Sequence, residues 1–214
     1  MHKNVFTVAA LIAGLLIAAP SADAARKHDT KIKAKVALGA KKPVKASASK
    51  KKPVKATVAA VPCTNTDVMP TPANVELVRA AILCLHNQIR ASAGLPALKD
   101  NAKLRKAAIG QSADMVANGY FDHTAPDGDT FVDRILAAGY AKRNDGWSLG
   151  ENLAWGTGDL STANGVMQAW MNSSGHKANI LKRSYKELGI GIRLGTPGDA
   201  GVGVTISAEF GAKS

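Results

Sequence analysis

The chain has few aromatic rings, few cysteines and only one long apolar run. Aromatic residues make up 5% of its 214 positions, and its 2 cysteines are Cys63 and Cys84. That no further cysteine accompanies these two thiols argues against a zinc site built on them. No His-Glu-x-x-His string occurs, which removes the helix-borne zinc protease pattern. The apolar run, Val5 to Ala19, falls short of the roughly 20 residues that a membrane-crossing helix uses.

That run follows Lys3 and precedes Ala22-Asp23-Ala24, a small-x-small string. Together they read as a secretory signal spanning residues 1–24. The other reading is an apolar anchor that stays attached, against which the shortness of the run and its Gly14 and Pro20 stand. Either way the rest of the chain is expected outside the cytoplasm, secreted or held at the cell surface.

Residues 25–60 read as a disordered, basic linker rich in Lys, Pro and Ala, with Lys41-Lys42-Pro43-Val44-Lys45-Ala46 repeated as Lys51-Lys52-Pro53-Val54-Lys55-Ala56. Without aromatics or many large apolar side chains, it has too little to bury against chain entropy. Between residues 26 and 57 lie twelve Lys and Arg against one Asp, a net of +11 out of +12 for the whole chain. The charge therefore belongs to this linker, which would attract an anionic cell-wall polymer or lipid surface, or simply act as a solvated spacer. The remainder is almost neutral and the linker has no rings for base stacking, so no specific nucleic-acid partner is expected.

The remaining 61–214 suits one domain with a real core. An even cysteine count in an exported protein favours a Cys63–Cys84 disulfide, with two reduced thiols as the alternative. Apolar spacing predicts helices over Val75–Ala93 (with Asn74 as cap), Leu104–Val116, Thr130–Ala138 (with Asp129 as cap), Thr162–Trp170 and His176–Leu181. Gly94, Gly119 and Gly139 punctuate them. Leu188–Ile192 and Val202–Ile206 alternate as paired strands around a Gly195–Asp199 turn. The class is α+β. Trp155, Trp170 and His86 are expected in the core, His86 as a packed or supporting histidine. A monomer is expected.

Three strings carry the chemistry: Phe121-Asp122-His123-Thr124-Ala125-Pro126-Asp127-Gly128, Gly150-Glu151-Asn152-Leu153-Ala154-Trp155-Gly156, and Ala169-Trp170-Met171-Asn172-Ser173-Ser174-Gly175-His176-Lys177-Ala178-Asn179-Ile180-Leu181. Two imidazoles and a carboxylate can bind a metal and leave a fourth position open, so His123, His176 and Glu151 are candidate ligands. The same residues could instead be structural, each hydrogen-bonding its own loop. Ser173 and Ser174 invite a nucleophile reading, against which Ser174 can cap the helix of His176.

In this order the strings resemble the CAP superfamily (cysteine-rich secretory proteins, antigen 5 and pathogenesis-related proteins), in its bacterial secreted branch. The resemblance runs from Val75, through Leu85-His86-Asn87-Gln88-Ile89-Arg90, to Ala208-Glu209-Phe210-Gly211. It implies a three-layer α-β-α sandwich around a small antiparallel sheet. It also implies a cleft lined by two His and two Glu, which holds a divalent metal such as zinc or calcium in some members. His123, Glu151 and His176 match that set. The second acid usually falls three residues after a tryptophan like Trp170, where this chain has Ser173. Asp133 is a candidate replacement, unless Asp133 and Arg134 are a helix-surface ion pair. The resemblance implies a binding or effector module for a metal, lipid or protein ligand more than an established turnover. The alternative is an extracellular metal-assisted hydrolase acting on peptide or wall material.

Overall fold

A computed structural model describes residues 62–213. The expected signal segment and the whole of the basic linker, residues 25–60, lie outside the described residues. The first helix, α1 (Val75–Ser92), runs over the expected stretch. Asn74 does not cap it through its side chain; it closes the turn before the helix, accepting from Thr71 N and donating to Met69 O. Gly94 at φ 67° ends the helix as its spacing predicts. The Cys63–Cys84 bond is formed and ties the incoming chain to α1.

Lys99–Asp100 is a short strand, β1, followed by α2 (Ala102–Asn118). Asn101 caps α2 by accepting from Lys103 N and Leu104 N. The third helix, α3 (Phe131–Ala137), is capped by Thr130 and not by Asp129, because Thr130 and Asp133 form a reciprocal capping box. Next come β2 (Trp147–Gly156), a 3-10 turn (Gly158–Ser161), α4 (Ala163–Asn172) and α5 (Ser174–Ile180). Ser173, not Ser174, holds the N-cap position of α5 and makes no side-chain cap bond. The long strands β3 (Glu187–Thr196) and β4 (Asp199–Lys213) complete the chain.

The sheet order is β1-β3-β4-β2. Its long pairs are antiparallel, while β1 joins β3 in parallel, so the sheet is mixed. Alternation along β4 sends Val204, Ile206, Ala208 and Phe210 into a core shared with α1, α4 and α5. The other face packs under α2 so closely that a Cβ on Gly189 or Gly191 would overlap the α2 backbone. Helices therefore cover both faces, and the α-β-α layering is the expected one. Trp170 is buried and donates its indole N–H to Leu153 O at 2.9 Å. His86 is a core residue, bonded to Ile82 O and edge-on to Trp170; burial pushes its pKa down to about 4. Trp155 is not in the core: it stands 52% exposed on the edge strand β2.

Candidate functional site

Glu151 belongs to strand β2, not to a loop, and its side chain is fully buried. Its two oxygens have different partners. Oε1 accepts from His123 Nδ1 at 2.7 Å, and Oε2 accepts from Arg134 Nη2 at 3.0 Å. Arg134 is in α3, and it also donates to the carbonyls of His123 (3.0 Å) and Asp129 (2.8 Å). One guanidinium therefore fixes both the carboxylate and the loop that carries the histidine. A forked, permanently charged donor suits such a junction.

The His123 loop is also pinned from below. Gln111 Nε2, fully buried in α2, donates to Asp122 O at 2.9 Å. Asp122 Oδ1 accepts from Thr124 N, and Thr124 forms a bridge with Thr130. The His123 side chain stays 52% exposed. The Glu151 hydrogen bond lifts its pKa above the ordinary histidine value, with partial burial opposing.

His176 sits in the first turn of α5. Burial lowers its pKa, and the nearby charge of His123 lowers it further. The two imidazoles thus feel one another, and the structure disposes them towards unlike charge states. The asparagines of the two strings lock the second histidine in place. Asn152 Nδ2 donates to His176 O at 3.1 Å, while Asn179 Nδ2 donates to Glu151 O (3.1 Å) and Asn152 Oδ1 (2.9 Å). A side chain at Gly150 would overlap the Tyr185 hydroxyl, which donates to Leu149 O at 2.8 Å. The Gly-Glu-Asn string therefore serves packing, charge and strand-to-helix linkage at successive positions.

The other two expected cleft residues lie elsewhere in the bonding scheme. Asp133 is taken up by Thr130 and by Arg143, which together pull its pKa down to about 2. The alternative, an Asp133–Arg134 surface pair, does not form either, since Arg134 turns to Glu151 and Asp133 to Arg143. Ser173 is half-buried between α4 and α5 and makes no side-chain hydrogen bond to the site residues.

A second acid is present in another place. Glu209 on β4 is the register partner of Glu151 on β2 and is fully buried. Neither carboxyl oxygen has a hydrogen-bond partner among the described residues. Burial, and then the adjacent Glu151, raise its pKa well above the usual carboxyl range. Sequence reading missed it because the expected strand stopped at Ile206. Continued alternation through Thr205, Ser207 and Glu209 was the available signal.

Both Glu151 oxygens serve His123 and Arg134. Among the described residues, no group of three or more His, Cys, Asp or Glu side chains is arranged to hold a metal ion. Through Oε1, Glu151 orients His123.

The sequence model of the CAP, or cysteine-rich secretory protein, family matches residues 83–207. The chain belongs to that family. It is 34% identical over 128 residues to the uncharacterized protein YkwD of Bacillus subtilis, covering 60% of this chain and 47% of that one. The uncharacterized membrane protein YlbC of the same organism is 35% identical over 111 residues, covering 52% of this chain and 30% of that one. The chain thus spans less than half the length of these relatives. Among solved structures, an extracellular protein containing a SCP domain from Bacillus anthracis aligns with TM-score 0.50 and 28% identity, over 66% of this chain and 43% of that one. An outer surface protein of Borrelia burgdorferi aligns with TM-score 0.54 and 20% identity, over 68% of this chain and 97% of that one, a likeness of fold.

Proposed function

We propose that the protein is an exported CAP-domain binding module that grips a polar group of a lipid or protein ligand between His123 and His176. Export is supported by the amino-terminal signal pattern and by the extracellular description of the Bacillus anthracis relative. The observation that carries the reading is the unlike treatment of the two imidazoles. His123 is held by Glu151, whose hydrogen bond raises its pKa, while burial lowers that of His176. Such a pair offers a ligand one imidazole biased towards donating beside one biased towards accepting. The basic linker adds attraction to anionic cell-wall polymer or lipid surfaces.

The hydrolase reading draws support from Glu209, a buried acid beside Glu151. It needs a metal-activated water, however, and among the described residues no group of three or more His, Cys, Asp or Glu side chains is arranged to hold a metal ion.

The test uses the full chain and its His123→Ala, His176→Ala and double variants, each checked for fold by circular dichroism. Wild type is dialysed against zinc and calcium, titrated with phosphatidylcholine vesicles, and incubated with peptide and wall-polymer substrates. Saturable vesicle binding that the double variant loses, without turnover, is the expected result. Stoichiometric metal released by the double variant, or turnover abolished by His176→Ala alone, overturns it.

A further inference from the structure

Arg90 is fully buried near the carboxyl end of α1, and no carboxylate pairs with it among the described residues. It spends its guanidinium on four carbonyls: Pro96 at 2.9 Å, Ile180 at 2.8 Å, Lys182 at 3.0 Å and Tyr185 at 3.2 Å. Carbonyl dipoles solvate this cation without cancelling its charge. In a low-dielectric interior that charge reaches further than it would in water.

Two of the residues it clamps, Pro96 and Tyr185, form walls of a cavity of about 480 Å³. Four cations line the same cavity: Lys99, Arg183, Lys186 and Lys213. All four are exposed, and none is within salt-bridge distance of a carboxylate among the described residues. The sheet register assembles them, because Lys99 pairs with Glu187 and Glu187 with Gly211, two positions before Lys213. The one carboxylate in the lining, Glu187, is occupied by the Tyr140 hydroxyl (2.6 Å) and Asn101 Nδ2 (2.8 Å). A domain of almost balanced charge thus gathers four cations around one concavity, against the single carboxylate of Glu187, whose charge Lys213 and Lys99 favour, with Lys213 also over the Tyr140 ring at 4.8 Å.

We propose that this cavity binds a phosphate-bearing linear polymer. Phosphate stays charged at every physiological pH, and Arg183 offers a planar fork that matches its oxygens. Four cations spread around a cavity fit several anions along one chain better than a single small ion. The concave shape disfavours a flat lipid surface. Pro96 and Ala97 give the carbon-rich parts between anions an uncharged wall. The site is separate from the His123–His176 cleft and does not depend on the function proposed for it.

The experiment is a titration of the full, isotope-labelled chain with linear polyphosphate, followed by backbone amide shifts. A per-residue readout separates this site from residues 26–57, which attract polyanions by themselves. The expected result is saturable shifts at Lys99, Lys186 and Lys213. In the Lys99→Gln/Arg183→Gln/Lys186→Gln/Lys213→Gln variant they vanish, and the salt dependence of binding becomes shallower. All four positions are exposed, so the variant is expected to fold. Shifts confined to residues 26–57, equal displacement by polyglutamate, or amide shifts produced only by phosphatidylglycerol vesicles would each overturn the proposal.

Discussion

Replacing Glu209 by glutamine isolates the energetic consequence of the unpartnered acid. The wild-type carboxyl is fully buried beside Glu151, and neither oxygen has a hydrogen-bond partner within normal distance among the described residues. Its pKa is higher in the folded than in the unfolded chain. The sign follows directly. Folding favours the protonated acid, so its contribution is fully present below the unfolded value, near pH 4.5. It is lost as pH rises towards the folded value. Glutamine keeps the shape, cannot ionise, and can donate its amide N–H to Glu151. Relieving an unsatisfied buried group is worth about 1–3 kcal/mol. Glu209→Gln should therefore be more stable than wild type by about that amount at pH 8, and by less at pH 5. Urea denaturation of both full chains between pH 5 and 8 measures it, with the midpoint shifting and the slope constant. Parallel pH profiles, or a variant weaker at pH 8, would refute the assignment of Glu209 as a buried neutral acid.

Three further outcomes follow from the same structure. The His123 imidazole should titrate above the usual value of 6.5 by NMR, its extra stabilisation present below that value and lost as pH rises through its folded pKa; Glu151→Gln should pull the titration back down. Trp170→Ala should cost about 3–5 kcal/mol in denaturant midpoint, whereas exposed Trp155→Ala should cost under about 1 kcal/mol. Removing the Cys63–Cys84 bond by double serine substitution should cost about 3 kcal/mol, read as a lower Tm.

The helices were legible because their apolar spacing and glycine stops are local. Their caps were less so, since Asp129 and Thr130 are both capable and only the capping box with Asp133 decides between them. Strand β1 escaped notice because two residues carry no period, and its existence depends on β3 nearly ninety positions later. At the site, the strings identified His123, Glu151 and His176 but not the residues that govern them. Arg134 looked like half of a surface pair, and only the tertiary structure turns it inward to Glu151. Glu209 hid at the end of a strand whose polar face, in a sheet covered on both sides, had to be buried. Trp155 shows the opposite error: aromatic character suggests the core, while its place on an edge strand leaves it in solvent.

The Arg90 clamp also bears on motion. Its four acceptors come from two stretches, one six residues away and the others at least ninety. The stretch around residues 180–185 cannot lift off alone without leaving a guanidinium stranded in the interior. Amide hydrogens there should therefore exchange with solvent at rates set by opening of the whole domain, although the segment has the outward look of a surface loop.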